Sequence, residues 1–285
     1  PAWSLRMDRR SEDFFQNIIC EAIKIMSTQI TTELVKELRD RTGVSVMQCR
    51  NALQEAEGDM EKALIILKKQ SSSIAMKKAD RDAHDGTITV LEGSGKVILL
   101  ALHSETDFVA RNEDFTNLAN ALAKSALDEG VEAMKAKSGD MINPVIQKVG
   151  EKVELGHVEE ITGETLGSYV HSGKSAVVVT LSGGTPELAK DVAMHIAAMK
   201  PIYMKSDDIT AEDKAKVMEV FEKEVAESDK PEEIKKKMLE GKISTYFKEQ
   251  TLMDQSFIKN PDVTISKLLA DKGATLVRFV SESIG

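Results

Sequence analysis

Gly173-Lys174-Ser175 is the tripeptide whose residue types most invite a chemical reading, because it matches the end of a phosphate-binding loop. Such a loop keeps four residues between its glycines and runs into a helix whose first amides hold phosphate. Here Gly167 and Gly173 enclose five residues, and Ala176-Val177-Val178-Val179-Thr180-Leu181 is a run that predicts a strand. Nucleotide binding by this loop is not expected. The five histidines, His84, His103, His157, His171 and His195, fall at no metal-ligand spacing. No Gly-x-Ser-x-Gly elbow or Cys/His nucleophile setting occurs either. His195, on an apolar helical stretch, reads as a core residue with its polar atoms satisfied. Cys20 and Cys49 are too few for a disulfide framework or a zinc site, and Cys49 reads as a reduced, buried thiol of a cytosolic protein. No metal, cofactor or bond-making chemistry is expected.

Composition points the same way. A chain of 285 residues with 41% apolar content can bury a core and hold two or three units. A net charge of -9 and a pI near 5.3 exclude a broad phosphate-binding surface, so no direct nucleic-acid contact is expected. No apolar run reaches the roughly 18 residues that crossing a bilayer requires. The stretch before Met26-Ser27-Thr28 mixes Arg6, Arg9 and Arg10 with Glu12, Asp13 and Glu21, unlike a signal or transit peptide. Residues 1–27 read as an extension or a mis-set start, with an amphipathic helix through Phe14, Ile18 and Ile19 as the functional alternative. The expected location is cytoplasmic.

The elements that would position binding residues follow from periodicity. Residues 28–70 predict three short helices. The first carries Leu34, Val35 and Leu38 and ends at Gly43, where glycine suits the left-handed position. The second opens at Ser45-Val46-Met47-Gln48, a capping box, and its buried stripe is expected at Val46, Cys49, Leu53 and Ala56. Asp59 caps the third, with Met60, Ala63, Leu64 and Leu67 at helical spacing. Residues 71–84, with Ser71-Ser72-Ser73 and several cations, read as a linker.

Beyond the linker, Gly86 to Leu91 and Lys96 to Leu102 flank Glu92-Gly93-Ser94-Gly95 as a hairpin, and a helix follows through Phe115, Leu118, Ala119 and Leu122. The plan recurs in Gly167 to His171, a turn at Ser172-Gly173-Lys174, Ala176 to Leu181, and a helix through Leu188, Val192, Ile196 and Met199. Hairpin plus helix, twice, predicts an α+β core of two subdomains, residues 85–148 and 149–205. Residues 206–250 predict a helical hairpin broken at Lys230-Pro231, with Val217, Val220, Phe221 and Val225 on one stripe and Ile234, Met238 and Ile243 on the other. This hairpin is a candidate dimer surface, or an ordinary surface helix pair. Residues 251–285 return to the core and close with a strand over Ala274 to Val280.

The turn Thr106-Asp107-Phe108-Val109, just past an apolar strand, stands at the rim of a sheet, where binding residues are displayed. By itself it has a plain reading: Thr106 caps a short helix, Asp107 favours its positive end, and Phe108 tucks into the core. However, Glu105-Thr106-Asp107-Phe108-Val109-Ala110-Arg111-Asn112 resembles the signature turn of the elongation factor Ts family. Arg41 to Leu53 is similar to that family's opening motif within a ubiquitin-associated-like fold, with Gln48 where an acid is common. Leu252 to Asn260 resembles the family's late Asp/Glu-Gln-Pro-Phe-Val motif, with Ser256 in place of proline. The strand after Val149-Gly150-Glu151 lacks the family's arginine pair.

The resemblance implies a guanine-nucleotide exchange factor for elongation factor Tu, bound in its GDP-loaded and nucleotide-free states. Asp107 and Phe108, within Thr106 to Val109, would wedge into the GTPase domain and disturb the Mg²⁺ and phosphate site. Arg50, His171 within Gly-Ser-Tyr-x-His, and Ile258 would make further contacts. The mechanism is linkage: a factor that binds the empty GTPase more tightly weakens nucleotide binding by the same ratio. The alternative is a binding module or scaffold that holds a GTPase without exchange, in which Phe108 is dispensable.

Overall fold

The structure, a computed structural model, describes residues 30–93, 95–226, 228 and 230–285. The expectations for Cys20 and for Phe14, Ile18 and Ile19 lie outside these residues. The described residues form two units: those up to Ala83 with Gly139–Val153, and His84–Ser138 with Glu154–Gly285. Among them no helix is long and apolar enough to cross a membrane.

The first unit begins with α1 (Thr32–Thr42), α2 (Val46–Glu55) and α3 (Met60–Lys78). Each starts at a polar cap that accepts an otherwise unpaired backbone amide: Thr31 from Leu34, Ser45 from Gln48 and Asp59 from Lys62. At Ser45 the Gln48 side chain returns the bond, completing the capping box. Gly43, at φ 68°, ends α1 where a side chain would be strained. Leu38, Cys49, Ala52, Leu53 and Ala63 are fully buried between the helices. Val46 is not part of that stripe. It is half exposed at the first position of α2, and Val44 in the preceding loop fills the core there instead.

The expected linker is also corrected, because α3 continues through the three serines to Lys78. Ser71 and Ser72 donate their hydroxyls to the Lys68 carbonyl, which lets serines sit inside a helix. Their partner is the second half of a helix that periodicity leaves unassigned, α6 (Val131–Val149), which carries Pro144 in its interior. Asn143 donates to Ser72 across this contact, and Lys68 pairs with Asp140 at 3.3 Å.

In the second unit β1 (Asp85–Gly93) and β2 (Lys96–Ser104) form an antiparallel hairpin, followed by α4 (Asp107–Ala110) and α5 (Glu113–Glu129). Strand β3 (Val153–Thr162) joins β2, giving the order β1-β2-β3. Residues 149–205 thus do not form one sheet: β3 belongs with the first hairpin. The second sheet is β4 (Thr165–His171), β5 (Ser175–Ser182) and the C-terminal β8 (Thr275–Ser283), with β5 central. Helix α7 (Pro186–Met199) packs on β4 and β5, as α5 does on β1 and β2.

The central strands are continuous apolar runs because both of their faces are covered. Alternation sends Val97, Leu99 and Ala101 of β2 and Ala176 and Val178 of β5 into one cluster between the sheets. Val177, Val179 and Leu181 point the other way, against Leu188, Ala189, Val192 and Ile196 of α7. The result is a layered α+β arrangement with each sheet carrying a helix on its outer face.

Helices α8 (Ala211–Ala226) and α9 (Glu232–Gln250) are antiparallel, since Phe221 meets Tyr246, Glu224 pairs with Lys242, and Lys235 donates to the Ala226 carbonyl. Val225 is buried between them, whereas Val220 and Ile234 face solvent and leave the expected stripes. The chain then forms a small hairpin, β6 (Ser256–Phe257) and β7 (Asn260–Thr264), and helix α10 (Ile265–Asp271) before entering β8.

Candidate functional site

Strand β2 ends at Ser104, whose hydroxyl donates to the Thr106 carbonyl at 2.9 Å and turns the chain out of the sheet. Thr106 then caps α4, its hydroxyl oxygen accepting from the Val109 amide. The helix is one turn long, so its residues divide sharply. Val109 and Ala110 are buried, while Asp107 and Phe108 face solvent and Phe108 is 80% exposed. Of the plain reading of this turn, the cap is present and the buried aromatic is not. Asp107 lies at the positive end of the helix and pairs with Arg111 at 3.1 Å, an exposed contact that orients the carboxylate more than it stabilises the fold.

An exposed phenylalanine costs little by itself, since apolar atoms make up much of any protein surface. What marks Phe108 is its rigid mounting. The buried residues that follow it and the cap before it fix the backbone from both sides, leaving a large flat side chain with few rotors outside.

His171 is the last residue of β4, and the turn Ser172-Gly173-Lys174 connects it to β5. Ser172 and Gly173 both have positive φ, 53° and 68°, the conformation that bends this tip. The tip lies against the start of β1. The Ile88 amide donates to the Gly173 carbonyl at 2.7 Å, and Lys174 reaches both the Asp85 carboxylate and the Gly86 carbonyl. Burial pushes the Asp85 carboxyl up, but the Lys174 and Gly86 hydrogen bonds with the Lys174 and Arg111 charges hold it below the usual range. Asp85 pairs in register with Ser104, the residue from which the Thr106 turn departs. The structure thus brings His171 and the turn Thr106 to Val109 to one end of the layered unit. There the exposed His171 ring stacks on Tyr169, whose hydroxyl lies 3.2 Å from Nδ1.

Ile258 sits elsewhere in the same unit, at the tip between β6 and β7, 45% exposed beside the buried Phe257. Arg50 is in the first unit, exposed on α2, where it lines a groove of about 510 Å³ with Val35, Lys36, Arg39 and Val46. Sequence reasoning did not single out Asp85 or the exposed Val170 beside His171. The Gly-Lys-Ser pattern had drawn attention to Lys174 for another chemistry, and Val170 is hidden in a pattern any strand shows.

The sequence pattern of the family described as "Elongation factor TS" matches residues 105–285, more than half of the chain. Relatives named "Elongation factor Ts" include one from Francisella tularensis subsp. novicida (strain U112), 41% identical over 268 residues, covering 90% of this chain and 93% of the relative. A relative from Hahella chejuensis (strain KCTC 2396), also named "Elongation factor Ts", is 39% identical over 263 residues and is covered to 92% of its length, against 90% of this chain.

Proposed function

Because the chain belongs to the elongation factor Ts family, we propose that it promotes GDP release from elongation factor Tu during translation elongation. The observation that carries this reading is the rigidly mounted, 80% exposed Phe108 on a capped single turn. Phe108 enters the GTPase domain as an aromatic wedge, Asp107 bonds to backbone beside it, and the displacement loosens the Mg²⁺ and phosphate site. His171 adds a contact from the adjoining hairpin tip, and Ile258 and Arg50 add contacts from their own elements. The helices α1 to α3 act as a ubiquitin-associated-like module in binding the same partner. GDP-bound and nucleotide-free elongation factor Tu are the two states the factor distinguishes, and preference for the empty one weakens nucleotide binding by linkage. No covalent bond is made or broken by this chain.

Stopped-flow release of a fluorescent GDP from elongation factor Tu of the same source tests the proposal. The parent chain is expected to accelerate release by about 10² or more, in line with a coupling of a few kcal/mol, and Asp107→Ala/Phe108→Ala to lose most of it. Binding without acceleration would replace exchange with a scaffold role.

A further inference from the structure

The two-residue connection Ile258-Lys259 joins Phe257 and Asn260, which face each other in register. Connections this short ordinarily take primed turns with positive φ, which match the twist of the flanking strands. Neither Ile258 nor Lys259 has positive φ. A two-stranded hairpin of this length is marginal even with a favourable turn, so its tip must be held from outside.

The holding group is on α7. Ile258 donates its backbone amide to Nδ1 of His195 at 3.2 Å, and His195 is fully buried. An amide can only donate, so Nδ1 is unprotonated and Nε2 carries the hydrogen of the neutral ring. Nε2 lies 2.9 Å from Oε1 of Gln255, which accepts from it, and Nε2 of Gln255 donates to the Glu249 carbonyl at 2.6 Å. Every bond from the end of α9 to the hairpin tip thus has one direction. The Phe257 ring packs beside the imidazole, with centroids 6.1 Å apart, and Lys259 pairs with Asp191, one turn before His195 on α7. Phe257 is drawn in, the Ile258 backbone is pinned, and the Ile258 side chain is left facing outward.

We propose that His195 is a positioning residue for exchange: its Nδ1 holds the Ile258 backbone and so presents the Ile258 side chain to elongation factor Tu. The inference rests on the reading of Ile258 as a partner contact. It makes His195 more than a satisfied core residue, since the same ring serves the core through Gln255 and the exposed tip through Ile258.

His195→Asn and His195→Gln separate the two bonds. The Asn oxygen can stand near Nδ1 and accept from Ile258, whereas Gln extends toward the Nε2 position, keeps Gln255 and leaves the Ile258 amide without its acceptor. GDP release from elongation factor Tu is measured against factor concentration for the parent, both variants, Ile258→Ala, and Ile258→Ala/His195→Gln. His195→Gln is expected to raise the half-maximal concentration about tenfold, the scale of one lost buried hydrogen bond, without changing the maximal rate, which Phe108 sets. His195→Asn should stay within about threefold of the parent, and His195→Gln should add less than about twofold once Ile258 is alanine. Equal losses for Asn and Gln, or a full tenfold effect of Gln in the Ile258→Ala background, would overturn the assignment. A parent chain without effect on GDP release would overturn the exchange reading and this proposal with it.

Discussion

Phe108 and Glu187 hold the same place, two residues past a threonine N-cap, in the two halves of the layered unit. Thr106 and Thr185 have nearly the same backbone, φ -131° and ψ 156° against φ -130° and ψ 157°, and each accepts from the amide three residues on. The matching continues inward: Val109 and Leu188 are buried next, then Ala110 and Ala189. Where the second half places a glutamate on the solvent side of the helix start, as the helix dipole favours, the first half places an aromatic ring. Folding does not require an aromatic there, because the other half does without one.

Phe108→Glu therefore copies a residue the fold already uses in that setting. Its unfolding free energy should stay within about 0.5 kcal/mol of the parent, as for surface changes remote from caps and core, while acceleration of GDP release falls to near background. A large drop in denaturant midpoint would show that the ring is packed, and the wedge reading would lose its basis.

The two caps provide a matched pair. Thr185→Ala and Thr106→Ala each remove one amide acceptor and should each cost about 0.5–1 kcal/mol, the lower part of the range for such caps, since the bonds are 3.3 and 3.4 Å long. Only Thr106→Ala should also slow exchange, because Thr106 fixes the turn that carries Phe108. Equal exchange rates for the two variants, measured at saturating factor, would detach the cap from function.

Gly167 shows where packing leaves no room. A Cβ there would lie 2.3 Å from the Lys190 nitrogen and 2.5 Å from the Ala189 carbonyl carbon, both backbone atoms of α7. Gly167→Ala must push helix and sheet apart, at about 1–3 kcal/mol or more. Gly139→Ala is the contrast, because nothing lies within 4 Å of its added carbon inside α6, and it should stabilise by about 0.5–1 kcal/mol. Urea titration of both variants checks the pair, and a tolerated Gly167→Ala would mean that α7 does not pack this tightly on β4.

Local chemistry made much of this fold legible in the sequence. The capping box at Ser45, Gly43 at a helix end, and the turn at Ser172-Gly173 each depend on a few neighbouring residues, and the structure has all three. Pairing was not legible: nothing in Val153 to Thr162 says that it joins β2, and nothing in Thr275 to Ser283 selects β5. Ser71-Ser72-Ser73 misled because serine favours loops until a helix carbonyl takes its hydroxyl, as Lys68 does. Val46 misled because helical spacing describes a face without saying how far along the helix that face is covered. At the candidate site, the spacing placed Phe108 on a capped turn but could not tell whether the ring faces in or out. The bond between His195 and Ile258 joins positions far apart in the chain, and no periodicity reports it.

His195 also makes stability depend on pH. Burial lowers the pKa of its imidazole below the ordinary 6.5, with the Gln255 bond opposing. The groups that face it are Gln255, the Ile258 amide and the Phe257 ring, none of them charged, while Asp191 is held by Lys259. The folded state resists a proton that the unfolded chain accepts below 6.5, so the contribution is complete above that value and is lost as pH falls toward the lowered one. The slope inside this window is bounded by about 1.4 kcal/mol per pH unit, the limit for a single proton. The carboxylates held below their ordinary values lose their contributions only in more acidic solution, below 3.8 for Asp85 and Asp213 and below 4.5 for Glu33, Glu187 and Glu219. Urea midpoints at about pH 7.5 and about pH 5.5 should thus show the parent losing more stability on acidification than His195→Asn, which cannot take up the proton. The other histidines are common to both proteins and cancel in the difference. Identical slopes for the two would mean that His195 is protonated as readily in the folded chain as in the unfolded one, and Nδ1 could not then be the standing acceptor for Ile258.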